Sequence, residues 1–75
     1  MRNRNQVNQA TQIRAQIMDG TYNWQVARIT HNGTTYGVQS SGYLFYHVGP
    51  IHPVHGFDRD LNTDLDGVIR YILNN

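Results

Sequence analysis

The chain has no cysteine, no lysine and no glutamate among its 75 residues. The missing cysteine excludes disulfides, thiolate metal sites and a cysteine nucleophile. A small domain without disulfides points to a cytoplasmic setting. No apolar run approaches the roughly 18 residues of a membrane span, and no signal-peptide pattern opens the chain. No membrane partner is therefore expected. Linkers, internal repeats and low-complexity blocks are also missing, so residues 1–75 read as a single domain, with 1–4 as a frayed basic tip. At 8.6 kDa such a domain buries only about 60% of its unfolded surface. Small scaffolds of this kind lean on a disulfide, a metal or a partner chain. With the first excluded, a homodimer stands beside a foreign protein among the candidate partners.

Charge is sparse and uneven. All six cations are Arg and all five anions are Asp. Residues 1–37 carry a net +3 and residues 38–75 a net −2. A total of +1 is no electrostatic footprint for nucleic acid, although the basic half could touch phosphate. Mean hydropathy of −0.58 with 39% hydrophobic residues still fits an ordered domain.

Residues 5–18 read as a helix, because Val7, Ala10, Ile13 and Ile17 fall on one arc of roughly 80° and Met18 widens it. Gly20 suits a left-handed cap after it. Residues 22–30 are aromatic and β-branched and read as a strand. Asn32-Gly33 then signals a hairpin turn, which sets Ile29 opposite Tyr36, Arg28 opposite Gly37 and Ala27 opposite Val38. A second turn is expected at Ser41-Gly42 between strands 35–40 and 43–48. That register puts Val38 opposite Phe45, Gly37 opposite Tyr46 and Tyr36 opposite His47. Pro50 and Pro53 make 49–57 an extended loop. Residues 59–73 read as a second helix, with Leu61, Leu65, Val68 and Ile72 in one stripe and Asp58 or Thr63 as its N-cap. The expected fold is α+β: an α-β-β-β-α two-layer sandwich, a three-stranded antiparallel meander with two helices on one face.

Four constellations stand out. Trp24, Arg28, Leu44 and Tyr46 would share the open sheet face and form a binding patch, being residue types enriched in hot spots and in base stacking. His47, His52 and His55 with Asp58 offer imidazoles and a carboxylate to a metal, but at no recognised ligand spacing, so local hydrogen bonds are the default. Asn62, Asp64, Asp66, Gly67 and Ile69 imitate part of a calcium loop, yet Leu73 stands where the closing acid belongs. Acids in a helix's first turn explain that run better. No phosphate loop, dinucleotide fingerprint or serine elbow is present, and no cofactor is expected.

The run Pro53-Val54-His55-Gly56, the apolar Leu65, Val68 and Ile69 of the last helix, and Thr30-His31 ending the first strand resemble HicA-type mRNA interferases. The likeness lies chiefly in the C-terminal third, and the family has a double-stranded-RNA-binding-domain-like α-β-β-β-α fold. The resemblance implies metal-independent RNA cleavage or RNA binding with His31 or His55 in the catalytic role. The residues by themselves support a different reading. It is a non-enzymatic module that binds and occludes a protein partner, in the manner of small inhibitors carried by phages. A ribonuclease needs a basic track beside its histidine, and only Arg28 lies near His31.

Overall fold

A computed structural model describes the backbone of residues 4–74 and the side chains from Val7 onward. The tip expected at 1–4 lies outside the described residues, save that Arg4 already opens the first helix. Helix α1 runs Arg4–Gly20, and strands β1 (Ala27–His31), β2 (Thr34–Gly42) and β3 (Phe45–His52) form the antiparallel meander. Two short strands follow, β4 (Gly56–Phe57) and β5 (Leu61–Thr63), and helix α2 (Leu65–Leu73) ends the order. Both β4 and β5 pair with β3, along different stretches of it. The α+β layout is as expected, with both helices on one sheet face.

That face holds the core. Ile13 and Ile17 of α1 and Val68, Ile69 and Ile72 of α2 meet Ala27, Ile29, Tyr36, Val38 and Val48 of the sheet. Ile17, Ile29, Val38, Val48, Val68 and Ile72 are essentially sealed from water. Burying each such side chain stabilises the fold by about 1.5–3 kcal/mol. Tyr36 and Tyr71 meet edge to face, with ring centroids 5.9 Å apart. An exposed ion pair, Arg14 to Asp66 at 2.6 Å, spans the two helices.

The first hairpin has the register that Asn32-Gly33 dictates: Ala27 faces Val38, Arg28 faces Gly37 and Ile29 faces Tyr36. Asn32 (φ 51°) and Gly33 (φ 81°) both take the left-handed backbone that such a turn requires.

Several expectations are corrected. Residues 22–24 form a 3-10 turn instead of strand, with Asn23 at φ 57° and Trp24 at φ 65°, and β1 starts only at Ala27. Gly20 does not take a left-handed conformation. It is needed because a side chain there would meet the Ala27 Cβ at 2.7 Å, so α1 packs directly on β1. The second turn is made by Tyr43-Leu44, and Ser41 is an extra residue in the ladder. Val38 therefore faces Val48, Gly37 faces Gly49 and Tyr36 faces Pro50. Finally, α2 starts at Leu65, with Asp64 as its cap: the carboxylate accepts the Gly67 N–H at 2.8 Å. Leu61 continues the helical spacing by coincidence, because it belongs to β5. Asp58 caps nothing, and Thr63 packs against Gly67 from β5.

The outer sheet face is not open. After β4 the chain folds back across it as a strap, Phe57–Asp60, and two adjacent strand glycines make room. The Phe57 ring lies over Gly37, where a Cβ would come within 2.6 Å of it. The Asp58 carbonyl lies against Gly49 so closely that any side chain would collide with backbone. The loop expected at 49–57 is also corrected, since β3 runs on through Pro50 to His52, and the Asp58 N–H donates to the Pro50 carbonyl at 3.1 Å. Arg59 stacks over Phe57 at 5.0 Å and donates to Gln39 at 2.9 Å.

The two glycines should differ when substituted. Gly37→Ala presses on a ring that can tilt, and should cost about 1–3 kcal/mol in urea unfolding. Gly49→Ala presses on backbone and should cost more, to the point of dislodging the strap. Equal stabilities of the two variants would contradict this packing.

Candidate functional site

The odd-numbered shift of the β2–β3 register decides the fate of the expected patch. Successive strand residues point to opposite faces, so a shift by three turns each β3 side chain over. Tyr46 consequently faces the helices, opposite Ser40 and Thr63, and packs half-buried against the core. Arg28 points the other way, in the row that runs through Gly37 and Gly49. The pairing of Arg28 with Tyr46 on one open face is thus corrected. Trp24 lies outside the strand, in the 3-10 turn, and its ring is exposed instead of shielding the core. Its carbonyl accepts the Gln39 side-chain N–H at 2.9 Å, which anchors the turn beside β2.

Leu44 and Tyr46 do come together. With Met18 and Leu65 they line a cleft of about 260 Å³ between the end of α1, the β2–β3 turn and the start of α2, and Arg14, Asp64 and Asp66 complete the lining. Directly beside it, Tyr43, Leu44 and Phe45 form the tip of the hairpin, and Tyr43 is 88% exposed. Tyr22, Trp24 and Val26 stand at the same end of the sheet, where β1 begins and β2 ends. Among the described residues, seven of the ten exposed large hydrophobic side chains therefore gather at one end: Met18, Tyr22, Trp24, Val26, Tyr43, Leu44 and Phe45.

The backbone there is unusual. Trp24 (φ 65°) and Leu44 (φ 63°) both occupy the left-handed region. A large side chain in that region costs about 1–2 kcal/mol against ordinary backbone. Neither side chain recovers that cost by burial, since both are exposed.

The histidines do not form a metal set. His47 lies across from Gln39 on one side and Asn62 on the other. His52 ends β3, and its Nδ1 accepts two backbone N–H groups, from Val54 at 3.1 Å and His55 at 3.3 Å. The His52 and His55 rings lie 4.7 Å apart. The histidine thus closes its own turn, ahead of Gly56 at φ 80°. Among the described residues no three His, Asp or Glu side chains come together as ligands. Asp58, the fourth proposed ligand, belongs to the strap. The calcium-like run is likewise employed elsewhere: Asn62 accepts from Ser41 at 2.8 Å, Asp64 caps α2 and Asp66 pairs with Arg14. His31 is the last residue of β1, half-buried opposite Thr34, and His55 is exposed in the β3–β4 loop.

A second cleft, of about 350 Å³, lies between the helices, lined by Ala10, Ile69 and Leu73 with Arg14, Asp66, Arg70 and Asn74. It shares the Arg14–Asp66 ion pair with the first. Among the described residues no helix is long and apolar enough to cross a membrane. Protein-family models, curated proteins and solved structures yield no match to this chain.

Tyr71 ties α2 to the strap, its hydroxyl donating to Asp60 at 3.1 Å. Its pKa is raised above the ordinary value of about 10, first by burial and then by the Asp60 hydrogen bond and charge. The folded state therefore holds this proton more tightly than the unfolded chain. The resulting stability is complete below pH 10 and declines as pH rises through the folded value. Melting temperature should fall above that pH, and Tyr71→Phe should flatten the fall. An unchanged alkaline slope in Tyr71→Phe would contradict the assignment.

Proposed function

We propose that the chain is a non-enzymatic interaction module that binds a protein partner through its apolar end and covers that partner's surface. One observation carries the reading. Trp24 and Leu44 are bulky, apolar and exposed, and each is held in a backbone conformation that disfavours it. Strain of this kind gathers at functional positions, where the side chain is kept for what it contacts. The uncharged aromatic turn at Tyr43–Phe45 and the cleft beside it supply the protruding and receiving shapes that protein interfaces use.

Leu44→Asn separates function from folding, because Asn tolerates the left-handed region far better than Leu. Its melting temperature should equal or exceed that of the wild type. Selection from a display library of folded protein fragments should recover binders of the wild type. Those binders should lose about 5–30-fold in affinity for Leu44→Asn and for Trp24→Ser. Raising salt from about 50 to 200 mM should change these affinities only slightly, because the contact is apolar. Binders that hold both variants as tightly as wild type would overturn the reading.

A further inference from the structure

We propose that the occupant of this apolar end is a second copy of the chain, each copy's Tyr43–Phe45 turn seated in the other's cleft of Met18, Leu44, Tyr46 and Leu65. The inference rests on the interaction-module reading and names its partner.

The first argument is shape. The protruding turn and the 260 Å³ cleft lie side by side on one chain, and Leu44 belongs to both. A twofold axis through such a neighbourhood pairs each knob with the other copy's hole, which is the self-complementarity an isologous dimer requires. The second argument is area. Tyr22, Trp24, Tyr43 and Phe45 are 72%, 63%, 88% and 52% exposed, and Met18 and Leu44 are each 63% exposed. Aromatic side chains offer roughly 150–250 Å² each, so the four aromatic residues alone leave about 550 Å² in water, and Met18 and Leu44 add to it. A stable interface takes about 800 Å² per partner. This end alone nearly suffices, with its polar surroundings making up the rest.

The third argument is charge. From Thr34 to Phe57 the chain holds no Asp, Glu, Lys or Arg, so the whole β2–β3 hairpin lacks the charges that usually keep exposed apolar turns apart. The formal charge of +1 gives two copies almost no mutual repulsion. Within the cleft the one cation, Arg14, is already paired with Asp66, and Asp64 is engaged with the Gly67 N–H. The lining therefore suits an uncharged visitor such as the turn itself.

Sedimentation equilibrium on the purified chain, from about 1 to 200 µM, tests this directly. The expected species has twice the 8.6 kDa chain mass. Leu44→Asn and Tyr43→Ser should each raise the association midpoint at least about 10-fold while keeping the wild-type circular dichroism spectrum. Val54→Ser, an equally exposed apolar position in the β3–β4 loop at the far end, should leave the midpoint unchanged. A chain that remains 8.6 kDa throughout overturns the proposal, as does a dimer indifferent to both turn variants or broken by Val54→Ser. Monomeric protein whose library binders still depend on Leu44 would reject the dimer and keep the module. Binders indifferent to Leu44 would reject the module itself.

Discussion

Everything after β3 depends on two glycines that face each other across the β2–β3 ladder. Gly37 and Gly49 leave a shallow trough on the outer sheet face, and the strap lies in it. Phe57 fills the space over one glycine and the Asp58 carbonyl that over the other. The strap's path then returns the chain beside β3 as β5, one residue short of the Asp64 cap. The position of α2 over the core follows from where the strap crosses. An alanine at Gly49 would therefore disturb more than its own surroundings.

Local signals in the sequence were sound where one residue type has one physical meaning. Asn32-Gly33 specifies a turn with two left-handed residues, and the β1–β2 register follows from it without error. Ser41-Gly42 carries no such certainty. The ladder absorbs Ser41 as a bulge, and the turn falls on Tyr43-Leu44, a pair with little turn propensity. Because side chains alternate, that misplacement by an odd number exchanged core for surface along the whole of β3. Val48 took the core place expected of Phe45. The helix stripe beginning at Leu61 failed for another reason. A spacing of four joins Leu61 to Leu65 on a helix, but nothing in the spacing tells whether the intervening Asp64 continues the helix or caps it.

The placement of the candidate patch was not legible, because it depended on the β2–β3 register. Of the residues singled out, Leu44 and Tyr46 line one cleft, and Trp24 is exposed in the turn ahead of β1. Arg28 was drawn in by a register that does not exist. What marks Trp24 and Leu44 most clearly is a positive φ, and no periodicity or composition reports that for a bulky residue. Nothing in the sequence marked Gly37 and Gly49 as the floor of the strap, because their meaning emerges only with the segment that lies over them.

The sheet's edges set a limit on how copies of this chain can join. One side of β3 is closed twice, by β4 at Ile51–His52 and by β5 at Tyr46–Val48, and the Asp58 N–H takes the Pro50 carbonyl in between. The outer edges that remain are short: two residues in β4, three in β5, five in β1 with Arg28 in the second place, and the four residues of β2 that run past β1. Short edges and an Arg on the strand discourage backbone pairing with another sheet. Joining through side chains at one end, about a twofold axis, uses up the surface that does the joining. An assembly built that way closes at two copies and leaves only short edges open.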